Sequence, residues 1–299
     1  MKEARLPLPP FAYRFSLLLE FVKRIAYPAR LVVQGDTLWR FTAGELIAYR
    51  QEGDAVVLQG EGLSHANEER IKRISCHCLG LERDLTTFYD FAARDPALWQ
   101  VVAPLVGFPI FCSETVFEAL ITLIIEQHIS WKNALRYQRT LMRMFDSGAA
   151  IGRAAVYRFP SPQQLARASQ SQLKALKITN RRIDLIIEIA NAVASGALDL
   201  ASIGDIEAGA AYDRLMKLNG VGHWTANNVI GRALGVYPFV SQNDVALQAA
   251  VQLYFHAGKG QKSPDQVRET LGRYREYAGL AGHFVLLRWV LERYPPVSP

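Results

Sequence analysis

Short apolar runs separated by turn residues fill the first part of the chain, which is the pattern of antiparallel strands. The runs lie at residues 31–33, 38–41, 46–49 and 55–58, and Gly/Asp turns separate several of them. Residues 15–25 instead place apolar side chains at helical spacing and predict an amphipathic helix that crosses the sheet. Residues 1–78 are therefore expected to form a small β-rich α+β domain.

From about residue 81 the apolar period becomes helical and stays so. Helix starts are predicted at Asp95-Pro96, at residues 113–115 and at Ser161-Pro162, because each offers an N-cap side chain. The pattern predicts an all-α region over residues 79–299 with eight to ten helices. Its core would be residues 113–255, and closing helices at 264–295 would pack with residues 79–112.

The most informative segment contains two glycines on either side of a valine, Gly220, Val221 and Gly222. A helix is predicted to end at Leu218, and a second to run from near Thr225 to Gly235. A tight turn followed by a helix start exposes backbone N–H groups next to the positive end of a helix dipole, which suits a DNA phosphate. The alternative is an ordinary helix connection in which the glycines only turn the chain.

A carboxylate follows this hairpin: Asp244 lies 22 residues after Gly222 (244 − 222). Asp before an apolar helix is also a good N-cap, so a purely structural role is a plain alternative. Beyond a phosphate-binding hairpin, however, the carboxylate could face the sugar carbon next to that phosphate.

The hairpin and this Asp together resemble the helix-hairpin-helix (HhH-GPD) superfamily of DNA glycosylases. The resemblance is closest to the 3-methyladenine (alkylpurine) branch, in which Trp-Thr-Ala-Asn follows the hairpin, as at residues 224–227. Residues 79–96, 117–134 and 159–176 also resemble family segments. The resemblance implies an α+β fold, with a small antiparallel sheet followed by a mostly helical glycosylase module.

By this resemblance Asp244 would be the catalytic carboxylate, which stabilises the positive charge that develops on the sugar as the N-glycosidic bond breaks. The hairpin residues Gly220, Val221, Gly222 and Thr225 would hold the phosphate. Glycosylase/lyase members carry a nucleophilic lysine where this chain has Trp224, which cannot form a Schiff base. A monofunctional enzyme that uses water is therefore expected.

Other residues receive roles from the same resemblance. Trp224 would line the base pocket or pack the hairpin, and Asn228 stands where an alkylpurine enzyme has a pocket tyrosine. Gln127 and His128 are candidates for the wedge that fills the gap left by a flipped base. The carbonyls of Leu218 and Val221 could hold a monovalent cation, although no cofactor is expected to be required.

Cysteine and charge content fit this interpretation without deciding it. The chain has 299 residues and a net charge of +6, a small excess that suits an anionic partner. No cysteine follows Cys112, so the iron–sulfur cluster of some family members is excluded. No signal peptide or membrane span is recognised, which predicts a cytoplasmic protein. Its expected partner is double-stranded DNA containing a damaged base, and its expected state is a monomer.

The sequence thus favours a base-excision DNA glycosylase that removes alkylated purines such as 3-methyladenine and leaves an abasic site. One alternative is a glycosylase for oxidised or deaminated bases, such as 8-oxoguanine or hypoxanthine, with the same carboxylate and a different pocket. Another is a non-catalytic protein that binds damaged DNA, against which Asp244 argues because phosphate binding does not need it.

Overall fold

The N-terminal part of the chain forms one antiparallel sheet covered by helices, as seen in a computed structural model that describes residues 2–25, 29–259 and 262–294. The strands are β1 (Lys2–Pro7), β2 (Val32–Gln34), β3 (Thr37–Thr42), β4 (Glu45–Glu52) and β5 (Ala55–Gly60), in the spatial order β1-β5-β4-β3-β2. The accompanying helices are α1 (Phe15–Ile25), as predicted, and α2 (Glu68–Leu79).

Strand β1 and helix α2 were not anticipated from the sequence pattern. In β1 the buried side chains of Ala4 and Leu6 alternate with exposed polar ones, so the period of two was present but short. Helix α2 ends at Leu79 and is followed by Gly80, whose φ of 68° is the left-handed conformation that closes many helices.

The rest of the chain is mostly helical, as expected. Its helices are α3 (Thr86–Ala92), α4 (Pro96–Val102), α5 (Val116–Glu126), α6 (Trp131–Phe145), α7 (Pro162–Ala166), α8 (Gln170–Leu173), α9 (Asn180–Ala194), α10 (Ala208–Met216), α11 (His223–Leu234), α12 (Val245–Phe255), α13 (Pro264–Gly272) and α14 (Ala278–Arg293). A small hairpin, β6 (Ala149–Ile151) and β7 (Ala154–Val156), interrupts them. The prediction of an all-α region over residues 79–299 is therefore wrong at this hairpin, where Gly152 with a φ of 59° turns the chain.

Within the described residues these α-helices number twelve (α3 to α14), more than the predicted eight to ten, because several are only one or two turns long. The predicted caps are present: Asp95 accepts backbone N–H groups at the start of α4, and Ser161 forms a capping box at the start of α7. The predicted α+β fold, an antiparallel sheet followed by helices, is confirmed. Among the described residues, no helix combines the length and apolar character needed to cross a bilayer.

Two apolar clusters in the helical part define the position of the site. One gathers residues of α5, α6 and α9–α11 around α5, which is buried along its whole length. The other gathers residues of α1, α3, α4 and α12–α14. A cleft is lined by residues of both groups of helices.

Candidate active site

The glycine-containing hairpin joins α10 to α11 at one wall of the cleft. Gly220 has a φ of 72°, and Val221 turns inward, with its N–H donating to the Leu218 carbonyl at 3.1 Å. Helix α11 begins at His223, two residues before the predicted start, with Gly222 as its N-cap. No side chain in the described part of the chain caps this end, so first-turn N–H groups of α11 remain for an anion.

Asp244 is held in the cleft by three hydrogen bonds to its carboxylate. It is the N-cap of α12, and its Oδ1 accepts the N–H groups of Ala246 (2.8 Å) and Leu247 (3.0 Å). Its Oδ2 accepts the indole Nε1–H of Trp224 at 2.9 Å. Asp244 therefore caps α12, as the structural alternative predicted, and also lines the cleft, because its side chain stays partly exposed.

The segment that leads to Asp244 is fixed to α11 by Asn227. The Asn227 amide Nδ2 donates to the Phe239 carbonyl at 2.9 Å and to the Ser241 hydroxyl at 2.8 Å. Ser241 in turn accepts the backbone N–H of Asp244 through its carbonyl at 2.9 Å. The hairpin and the carboxylate are thus connected through one helix.

Trp224 packs within the fold and also lines the cleft. Its side chain packs against the apolar cluster around α5, and its indole donates to Asp244. The Trp224 carbonyl also accepts the Asn228 amide at 2.7 Å. Trp224, Asn228 and Arg232 are spaced by four residues and therefore share one face of α11, and all three line the cleft.

The cleft has a volume of about 1490 Å³, ample for a nucleobase and part of its strand. Around Asp244 it is lined by aromatic and polar side chains from several elements. These include Gln127, His128, Trp131, Trp224, Asn228, Arg232, Tyr237, His283 and Trp289.

A partly buried ion pair, which the sequence did not predict, lies at the cleft between α5 and α11. Arg232 binds Glu126 through both terminal nitrogens, with Nη2 donating to Oε2 at 2.6 Å. Gln138 donates to the same carboxylate at 2.7 Å, and the Arg232 guanidinium lies 5.9 Å from the centroid of the Trp131 ring. Each charge is compensated, as burial requires.

His283 of α14 and Tyr237 form a stacked pair in the cleft wall. Their ring centroids are 4.1 Å apart at an interplanar angle of 23°. Burial of most of the ring, helped by the charge of Arg232, lowers the pKa of His283 to about 3. The imidazole is therefore neutral at physiological pH.

The two wedge candidates are placed differently in the loop between α5 and α6. His128 is exposed and has a φ of 55°, whereas Gln127 is turned toward the hairpin. Arg181 and Arg182 of α9 also line the cleft, and Arg182 donates to the carbonyls of Ile125 and Gln127.

A cation at the hairpin would rely on backbone oxygens. The Leu218 carbonyl accepts one hydrogen bond, from Val221, which leaves a lone pair on an oxygen of the type that hard cations prefer. In the described part of the chain no three His, Cys, Asp or Glu side chains gather as a metal site.

The sequence of this region matches a known family. The model of the HhH-GPD superfamily of base excision DNA repair proteins matches residues 121–276, which include the hairpin, Trp224 and Asp244. The chain belongs to this superfamily. It is a DNA glycosylase of base excision repair, and the predicted family membership is confirmed.

Individual relatives of the glycosylase carry related names. It is 26% identical to the DNA-3-methyladenine glycosylase of Bacillus subtilis over 218 residues, which are 73% of this chain and 71% of the relative. The 3-methyladenine DNA glycosylase of Archaeoglobus fulgidus has the same fold, with a TM-score of 0.79, 23% identity and coverage of 98% and 100% of the two chains. An 8-oxoguanine glycosylase/lyase of Clostridium acetobutylicum bound to DNA also has it, with a TM-score of 0.72, 18% identity and coverage of 95% and 93%.

Proposed function

We propose that the glycosylase is monofunctional and hydrolyses the N-glycosidic bond of alkylated purines, such as 3-methyladenine, in duplex DNA. The observation that carries the proposal is the pair formed by Asp244 and Trp224. A carboxylate fixed by three donors faces the cleft, and the position of the lyase nucleophile holds an indole that is itself one of those donors. The name of the B. subtilis relative supports the choice of base.

The carboxylate would act on the sugar. As the N-glycosidic bond lengthens, positive charge develops at the anomeric carbon, and the fixed negative charge of Asp244 stabilises it. The same carboxylate would orient the water that attacks this carbon. An alkylated purine is cationic and leaves readily, so the reaction needs no strong general acid.

The hairpin would hold a DNA phosphate next to the sugar. First-turn N–H groups of α11 would bind the phosphate oxygens, and Thr225 lies in the same turn. A monovalent cation on the carbonyls of Leu218 and Val221 would neutralise part of the phosphate charge. Since backbone groups provide these contacts, they would read the DNA backbone and not its sequence.

The aromatic side chains of the cleft would receive the flipped base. Trp131, Tyr237 and Trp289 line it together with Trp224, and stacking on aromatic rings favours a cationic base. One solved structure with this fold is an 8-oxoguanine glycosylase/lyase, so an oxidised or deaminated purine is the second candidate substrate.

The deciding experiment measures base release from labelled duplexes that contain 3-methyladenine, 7-methylguanine, hypoxanthine, 8-oxoguanine or uracil, with and without alkali. We expect release of the alkylated purines and strand cleavage only after alkali. Cleavage without alkali would contradict the monofunctional mechanism, and selective release of 8-oxoguanine or hypoxanthine would favour the second candidate. No release from any duplex would leave a non-catalytic DNA-binding protein.

Asp244→Asn provides the matched control for catalysis. An asparagine can still accept the N–H groups of Ala246 and Leu247, so helix α12 keeps its cap. Without the charge the single-turnover rate should fall by about 10² or more. A variant with the wild-type rate would show that Asp244 is not the catalytic group.

A further inference from the structure

One side chain connects the loop that carries His128 to the phosphate-binding hairpin. The Gln127 amide Nε2 donates to the Gly220 carbonyl at 3.1 Å and to the Thr225 hydroxyl at 3.0 Å. Gly220 belongs to the hairpin and Thr225 to the first turn of α11, so both acceptors lie in the element that would bind DNA. Thr225 is only 3% exposed, which shields its hydrogen bond from competition by water.

The backbone of the same residue is held from the other side. Arg182, near the start of α9, donates through Nη1 to the Gln127 carbonyl and to the Ile125 carbonyl. Helix α9 also supports the hairpin directly, because Leu185 packs so closely on Gly220 that a Cβ there would lie 2.6 Å from its Cδ2. Gln127 is therefore fixed to the hairpin by its side chain and to α9 by its carbonyl.

The residue that follows Gln127 is exposed in an unfavourable backbone conformation. His128 has a φ of 55°, which costs a non-glycine residue on the order of 1 kcal/mol. On its other side, Ile129 packs against the apolar cluster around α5. Because both neighbours are anchored, the backbone of His128 is held at the cleft that its exposed side chain lines.

We infer that Gln127 is a positioning residue, which joins the hairpin to His128 so that a phosphate bound at the hairpin fixes where His128 enters the duplex. The inference rests on the proposed function. It separates the two wedge candidates: His128 would enter the DNA, and Gln127 would act through it without entering the base stack.

If Gln127 positions His128, loss of its hydrogen bonds should slow base excision by an amount that depends on whether the damaged base is paired. Flipping a paired base costs a few kcal/mol of unpairing and unstacking, and a wedge helps to offset that cost. A base opposite an abasic site has no pairing to lose, so it needs the wedge less. A loss of wedge position should therefore slow excision of the paired base more than that of the unpaired one.

The test compares single-turnover excision of the same damaged base opposite its normal partner and opposite an abasic site. Gln127→Met keeps the side-chain length and removes both N–H donors, and Gln127→Ala removes them as well if the first variant folds poorly. We expect either change to lower the paired rate about tenfold more than the unpaired rate. Gln172→Met, a change of an exposed glutamine in α8, should keep the wild-type ratio.

A double variant tests whether Gln127 acts through His128. His128→Gly removes the wedge side chain and should lower the same ratio. Adding Gln127→Met to His128→Gly should then cause little further loss, because the pair is coupled. Equal falls on both DNAs, independent effects of the two changes, or a wild-type ratio for Gln127→Met would each overturn the inference.

A readout without chemistry keeps the inference separate from the proposed function. A duplex with 2-aminopurine beside a stable abasic analogue becomes more fluorescent when that base is unstacked by an inserted side chain. At saturating protein we expect a large increase with wild type and a small one with Gln127→Met or His128→Gly. Failure of wild type to release any base would defeat the proposed function alone, whereas equal fluorescence of wild type and Gln127→Met would defeat the inference.

Discussion

The carboxylate of Asp244 illustrates how one residue serves the fold and the site at once. Its Oδ1 closes the first turn of α12, while its Oδ2 receives the indole N–H of Trp224. Three donors fix the direction of the negative charge before any DNA binds, and such preorganisation is what makes an electrostatic contribution effective in a transition state. Trp224 therefore packs within the fold and also contacts the carboxylate to which the proposed mechanism assigns the chemistry.

Trp224→Phe should separate these two contributions. Phenylalanine keeps most of the ring that packs on the apolar cluster but cannot donate to Asp244. Because a hydrogen bond to a charged group is worth about 1.5–3 kcal/mol, we expect the single-turnover rate to fall by roughly 10- to 100-fold. Trp99→Phe, in the other helical cluster, is the control for the substitution itself. An unchanged rate in Trp224→Phe would remove the indole from the mechanism.

His283 gives the stability of the protein a dependence on pH. Its pKa in the folded state is about 3, below the ordinary value, so the unfolded chain binds a proton that the folded protein does not. The contribution of neutral, buried His283 to the free energy of unfolding is complete above about pH 6.5. It is lost as the pH falls from there toward about 3. We expect His283→Phe to lose less thermal stability than wild type between about pH 7 and about pH 5. Equal losses in differential scanning calorimetry would contradict this.

At the scale of elements, the two hairpin glycines meet different requirements. Gly220 has a φ of 72° and lies against Leu185 of α9, so both its backbone and its surroundings exclude a larger residue. Gly222 has a φ of −99°, and a Cβ there would meet no atom within 4 Å. The turn and the contact with Leu185 explain Gly220. Gly222 instead leaves open space at the start of α11, where the phosphate would approach.

The pair Gly220→Ala and Gly222→Ala tests this division. Gly220→Ala should lower the free energy of unfolding by at least about 1–2 kcal/mol, because it adds left-handed strain and a contact with Leu185. Gly222→Ala should keep the stability within about 0.5 kcal/mol but weaken DNA binding. Urea unfolding and DNA titrations measure the two effects. A stable Gly222→Ala protein with wild-type DNA affinity would show that this glycine is not needed for phosphate approach.

The sequence predicted the elements whose signals are local. The hairpin, the capped helix starts at Asp95 and Ser161, and helix α1 all depend on residues within a few positions of one another. The Glu126–Arg232 ion pair could not be predicted in this way, because its partners are 106 residues apart and each alone resembles a surface charge. The bond from Gln127 to Gly220 spans 93 residues and is equally invisible to local patterns.

At the scale of the whole molecule, helix α1 joins the N-terminal sheet to the helical part. One of its faces, which includes Phe15, packs in the apolar cluster of the sheet. The other face, which includes Phe21, packs in the cluster of α3, α4 and α12–α14. The predicted boundary at residue 78 falls within α2, and both apolar clusters contain residues from either side of it.

Helix α1 should consequently make unfolding of the two parts cooperative. Phe21 is 8% exposed, and its ring centroid lies 5.7 Å from that of Phe108 and 5.5 Å from that of Phe111. Phe21→Ala removes these contacts and should cost about 3–5 kcal/mol. Phe15→Ala, a change on the opposite face of the same helix, is its matched partner with a similar expected cost.

Calorimetry distinguishes one cooperative unit from two. If α1 couples the parts, each variant should lower the temperature of one shared transition, and the calorimetric and van't Hoff enthalpies should agree. If the parts are independent, Phe15→Ala would move only a transition of the N-terminal sheet and leave a second one in place. The first outcome follows from a helix with both faces buried, because neither cluster can lose α1 without exposing apolar surface of its own.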